Sequence, residues 1–273
     1  EGMTTGRAIR RFDGRRHRLP DGLVILLFTL FTAAPLVATL VSGLSADLGR
    51  LALDPLLHRA LVTSLAVSFA SACLSLSIAL PIVLVPRLAE TGKVDLATRL
   101  MARALPAVGS LILLVPPVVV ATGWFLVLRA FGETGRFAPA VVTVLNALMA
   151  LPFVVRVLEP AYRTHLIRTA RLALSLGVTG MHRLRWIDLP ALRKPLLTAF
   201  AFAMALSLGD LGAVAIFGAE GFTTLPWLLY SRMASYRTAD AAGIALLLGA
   251  ICLLLTLPST AAERPTERPS TDA

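Results

Sequence analysis

Six long stretches with almost no charge dominate the 273-residue chain. Residues 23–42, 60–86, 104–128, 137–155 and 241–262 contain no Asp, Glu, Lys or Arg, and residues 196–219 contain only Asp210. In chain order the runs are 20, 27, 25, 19, 24 and 22 residues long. About 20 are needed to cross the hydrocarbon core as an α-helix. Lipid offers a bare backbone no hydrogen-bond partner, so a spanning segment must be a helix or belong to a closed barrel. The apolar residues here are continuous rather than alternating, which excludes barrel strands. An all-α, polytopic membrane protein with six transmembrane helices is the expected fold class. A hydrophobic content of 56% with only 15% charged residues also excludes a soluble domain, which carries about 25% charge.

The formal net charge of +10 reads as an orientation signal once the basic residues are located. Nineteen lie before the first run, between the second and third, between the fourth and fifth, and after the sixth. Six lie in the alternate connections: Arg50, Arg59, Arg129, Arg136, Arg232 and Arg237. Arg156 closes the fourth run on the basic side. The positive-inside rule then places both termini and the basic loops in the cytoplasm. Anionic headgroups of the bilayer become the partners of this charge, and nucleic acid is not needed to explain it. The chain divides into a basic cytoplasmic arm or linker (1–22), a six-helix membrane domain (23–262) and a disordered cytoplasmic tail (263–273). The tail is rich in Pro, Thr and charge, a composition that cannot build a core.

Most connections are short, but residues 159–195 make a 37-residue cytoplasmic loop, and long loops in compact domains are usually functional. Its composition predicts helix over 167–176, a helix end or close approach at Gly177, and a short helix over 180–187. Arg183, Arg185, Trp186 and Ile187 give that second helix an amphipathic character. An interfacial helix lying on the membrane and a docking surface for a cytoplasmic partner account for it equally well.

Few polar groups interrupt the spans. Asp210, flanked by Gly209 and Gly212, must face protein or water, because a carboxylate at the bilayer centre costs about 2.5–3.5 kcal/mol. It lines a pathway or pairs with a helix end or an Arg to fix packing. Asn146 reads as interhelical glue ahead of pathway lining. Pro116 and Pro117 should break the third span, and such breaks border cavities in transporters. Cys73 and Cys252 read as small packing residues, and the four His have no metal-ligand spacing. The sequence has no GxxxxGK[ST], HExxH or G-x-S-x-G motif, so no catalytic residue, metal or cofactor is assigned and ATP hydrolysis is not expected of this chain.

Gly177, nine residues, then Ile187-Asp188-Leu189-Pro190 resembles the EAA-loop pattern of the binding-protein-dependent ABC importer permeases. The opening Glu-Ala-Ala of that pattern falls on Arg171-Leu172-Ala173, with Ala173 kept, and Leu176 matches the Leu before the Gly. Leu114 to Val119, with Pro116 and Pro117, is similar to the third span of this superfamily. Ser207-Leu208-Gly209-Asp210-Leu211-Gly212 is similar to its L-G-E-F-G segment, with Asp for Glu. Among subfamilies, the thiamine (thiamine pyrophosphate) importer permeases are resembled most, through residues 146–153, 207–217 and 222–236. Those are fused chains with two six-span halves, and this sequence looks like the second.

The resemblance implies a type I (MetI-like) permease core in a bacterial inner membrane. A cytoplasmic ATPase dimer would be engaged by Arg171, Ala173, Leu176, Gly177, Arg183, Leu184, Ile187, Asp188, Leu189 and Pro190. The translocation pathway would be lined from among Asp210, Asn146, Ser207, Gly209, Gly212, Pro116 and Pro117. A periplasmic substrate-binding protein and an N-terminal permease half or second permease copy complete the implied assembly. Import of iron(III), sulfate or molybdate is the alternative within the class. An integral membrane enzyme acting on lipid is the alternative outside it.

Overall fold

The computed structural model describes residues 18–91, 100, 115–132, 134–175, 180–218 and 222–261, and all regular structure among them is helical. Helix α1 spans Arg18–Leu44, α2 Leu48–Ala52 and α3 Pro55–Thr91. Then come α4 (Pro117–Ala130), α5 (Thr134–Ser175) and α6 (Gly180–Arg183). A π-helical turn, Leu184–Asp188, joins α6 to α7 (Leu189–Ala191). The chain ends in α8 (Arg193–Gly209), α9 (Val214–Phe217), α10 (Leu225–Ala234) and α11 (Thr238–Ala261). Proline begins several of these helices. Pro55 and Pro117 open α3 and α4, and Pro226 sits in the first turn of α10. At that position the missing N–H would be unpaired in any residue.

Among the described residues each apolar run contributes helical residues, and the protein is a multi-pass membrane protein, but not all six expected spans appear as full-length helices. Four helical segments are long and apolar enough to cross a bilayer: Asp21–Leu44, Pro55–Leu84, Thr134–Thr169 and Thr238–Leu257. The third run keeps a 14-residue helix beginning at Pro117, with Pro116 as its extended N-cap. The double proline is thus a helix start among the described residues. The fifth run is not one helix. It stops at Gly209 and resumes as the short α9.

The core is where α3, α5 and α8 pack on one another. Ala72, Ala79, Ala150, Ala199 and Ala203 are buried at their contacts. Small residues belong there because lipid is as apolar as Leu, and close backbone approach rather than hydrophobic burial favours association. On α3 a buried serine stripe, Ser64, Ser68, Ser71 and Ser75, faces inward, and Ser71 Oγ donates to the Thr143 carbonyl at 3.0 Å. Cys73 lies outside this packing and is exposed, contrary to its reading as a packing residue. Cys252 is half-buried, its thiol 3.9 Å from the Ala205 carbonyl. Helix α11 packs on α8, and α1 lies outermost against α11, with its apolar side chains broadly exposed as a lipid-facing helix requires. At the end where α2, α10 and the start of α11 meet, Asp240 pairs with both Arg50 and Arg237. Arg232 Nη2 lies 3.0 Å from Asp54 Oδ2 in the same region.

Candidate functional site

Two places concentrate the residues singled out by sequence. The first is the elbow between α5 and α8. Helix α5 does not stop at Arg156, where its apolar run ends. It continues through Pro160 to Ser175, so the expected helix over 167–176 is the end of α5 rather than a separate element. The predicted short helix begins at Gly180 and runs through the π-helical turn and α7 to Ala191. It meets α8 at a bend of 62°. Such π-turns are rare and occur often at functional sites.

The elbow has a seated face and an open face. Asp188 is buried at 2% exposure. His165, on α5, brings Nε2 to 2.9 Å from Asp188 Oδ1, the hydrogen bond a carboxylate accepts from a ring N–H. Arg183 Nε stands 3.6 Å from the same oxygen, an ion pair too long for a hydrogen bond. Leu184 packs against the α3–α5–α8 core. His182, Arg185 and Trp186 are exposed, Trp186 at 72%, and Ile187 and Leu189 are half-buried with Pro190 exposed. Arg171 and Ala173 lie on the last turns of α5, while Leu176 and Gly177 lie outside the described residues. His165 was not legible as a site residue, since its partner is 23 positions away.

The second place is the break after α8. Helix α8 ends at Gly209, and Asp210 takes an extended backbone at ψ 121°. Asp210 Oδ1 accepts from the Gly212 N–H at 2.9 Å. A Cβ at Gly212 would lie 3.5 Å from Val118 Cγ2 and 4.0 Å from Pro117 Cβ, whereas Gly209 faces open space. Gly212 therefore lies where the break rests on the start of α4. Asn146, buried on α5, donates Nδ2 to Ser207 Oγ at 2.9 Å and lies 3.3 Å from the Ser207 carbonyl, a contact between α5 and α8. Asn146, Ser207 and Asp210 share a cavity of about 10 Å³ with Ser64, Thr224 and others. Ser64 and Thr224 were missed by the sequence reading. Ser64 Oγ accepts from the Leu225 N–H at 2.7 Å, across 161 positions, although the small-residue spacing on α3 was a signal that could have marked Ser64. Among the described residues no group of three or more His, Cys, Asp or Glu is placed to hold a metal ion.

Asn146→Leu is expected to cost about 0.6–1.7 kcal/mol, the range of interhelical hydrogen bonds in membrane proteins, and Ser207→Ala in the same background should add little. Unfolding of both single variants and the double variant in mixed micelles measures this coupling.

Comparison with known proteins gives consistent relatives. The chain is 44% identical over 259 residues to a thiamine transport system permease protein of Brucella abortus, spanning 94% of this chain and 46% of that protein. Identity is 39% over 256 residues to the Salmonella typhimurium protein of the same name and 38% over 255 residues to that of Escherichia coli, each covering 93% of this chain and 47% of the relative. The chain thus spans about half the length of the curated relatives it matches, and these relatives are transport permeases rather than enzymes. No family model matches the chain. Among solved structures, a chain of an amino acid ABC transporter superposes with a TM-score of 0.57 at 19% identity, covering 77% of this chain and 94% of that one. The shared feature at that identity is the fold.

Proposed function

Because the chain is a relative of the thiamine transport system permeases and has the fold of an ABC transporter chain, we propose that it is a permease subunit of an ABC importer for thiamine or its phosphates. The observation that carries this reading is the 44% identity over 94% of the chain. It sits in a bacterial inner membrane with both termini in the cytoplasm, as the distribution of Lys and Arg supports. A periplasmic binding protein delivers the ligand, and an N-terminal permease half or a second permease copy completes the pathway. Energy comes from a separate cytoplasmic ATPase dimer.

The elbow geometry supports coupling through the loop 159–195. A lever must be fixed to what it moves and free toward what moves it. Asp188, through His165, and Leu184 tie the elbow to α5 and the core, Arg183 pairs with Asp188 inside the elbow, and Arg185 and Trp186 project outward. ATPase closure would push the open face, and the seated face would pass the motion to α5 and α8. The break at Gly209–Gly212, resting on Pro117, is the part of the pathway wall able to change shape, and Asp210 lies on it. Such switching works through different binding to two states.

The test is uptake of labelled thiamine by membranes carrying the chain with its ATPase, binding protein and second permease half. ATP-dependent accumulation that unlabelled thiamine suppresses and sulfate, molybdate or iron(III) does not is the expected result. Suppression by the oxyanions or iron(III) in place of thiamine would move the ligand to the alternative class.

A further inference from the structure

The cavity at the helix break contains more oxygen than its hydrogen bonds use. Asn146 and Thr224 are buried at 2% and 3% exposure. Asn146 Oδ1, Thr224 Oγ1 and Asp210 Oδ2 are each buried without a hydrogen-bond partner, and all three residues line the one cavity. Buried polar atoms are nearly always paired, so three unpaired oxygens around a single void make a site suited to one small polar guest. At about 10 Å³ the void admits one water-sized particle and excludes any organic substrate.

Charge distinguishes between such guests. Asp210 uses one oxygen on the Gly212 N–H, and among the described residues no cationic side chain pairs with it. Among the lining residues there is no Lys, Arg or His. The C-terminal end of α8, a 17-residue helix, ends at Gly209 beside it and adds negative potential. Ser64 and Ser207 contribute further hydroxyl oxygens to the lining. Oxygen donors around a single carboxylate and a helix C-terminus suit a hard cation of charge one. Mg²⁺ gives up its waters reluctantly and would not fit without them. Broken helices in membranes hold Na⁺ by the same combination of half-helix C-termini and oxygen ligands.

We propose that this cavity is a binding site for one desolvated monovalent cation of sodium size, held by Asp210, Asn146 and Thr224. The cation ties α5, α8 and the start of α10 together across the break. This inference concerns binding alone and stands independently of the ligand carried through the membrane.

The test uses the full chain in lipid nanodiscs, with NaCl, KCl or choline chloride at equal ionic strength. Thermal unfolding should shift upward in a saturable manner with Na⁺ only, and ²²Na⁺ should be retained at about one per chain. Asp210→Asn should abolish both signals, and Thr224→Val, nearly isosteric, should weaken Na⁺ affinity at least tenfold. Should Asp210→Asn fail to fold, Thr224→Val decides. Equal unfolding in all three salts without retained ²²Na⁺ overturns the proposal and leaves a water or a proton as the guest. So does a Na⁺ response that survives undiminished in Thr224→Val.

Discussion

Asp188→Ala is expected to uncouple the elbow from the membrane helices, lowering thiamine-stimulated ATP hydrolysis and uptake at least tenfold while membrane insertion is retained. Asp188 is buried and takes both His165 and Arg183 on Oδ1. Removing it leaves the Arg183 guanidinium, whose side chain is only 11% exposed, without a counter-charge. Breaking a buried pair from one side costs about 3–5 kcal/mol, well above the value of an exposed pair. That loss falls first on the elbow, which carries both Asp188 and Arg183. Local release rather than global unfolding should follow, visible as faster amide exchange over 180–191 with unchanged exchange in the core helices. Asp188→Asn keeps an acceptor for His165 and loses the charge, so it should fall between wild type and Asp188→Ala. Normal coupling in Asp188→Ala would remove the elbow's seated face from the account.

Gly43→Leu should separate α1 from the bundle. Helix α1 packs mainly on α11, and Gly43 lies in tight contact with it. A Cβ at Gly43 would stand 2.8 Å from the Ala242 carbonyl oxygen and 2.8 Å from Leu246 Cβ. The carbonyl belongs to the backbone of α11 and cannot rotate away, so the helices must move apart. Overpacking of this kind costs about 1–3 kcal/mol. Spin labels on α1 and α11 should report a longer separation, and protease digestion of the α1–α2 connection should be faster. Gly43→Ala should show a smaller change in the same direction. An unchanged separation in Gly43→Leu would mean that α1 is held by something other than this contact.

Helix existence was legible because hydropathy acts on every residue of a span. The break at Asp210 and the start at Pro117 were legible for a related reason: a lone acid and a double proline are each costly inside a lipid-facing helix. Helix length was less legible. Arg156, Glu159, Arg163 and Arg168 read as the start of a loop, yet α5 runs on to Ser175. Charge marks where a helix leaves lipid, and a backbone that pairs within itself has no reason to stop there. The pairings that define the two sites were not legible. His165 with Asp188, Ser64 with Leu225, and Thr224 facing Asn146 arise from tertiary contact across long sequence separations. Only the serine spacing on α3 offered a local hint.

The most direct test places a photo-reactive amino acid at Trp186, a large apolar residue of the elbow that is 72% exposed, in the complete importer. Illumination should yield an adduct with the ATPase subunit whose amount changes between ATP-bound and nucleotide-free states. Adducts with lipid alone in both states, or labelling of position 186 by an impermeant reagent from the periplasmic face, would contradict a cytoplasmic lever driven by an external motor.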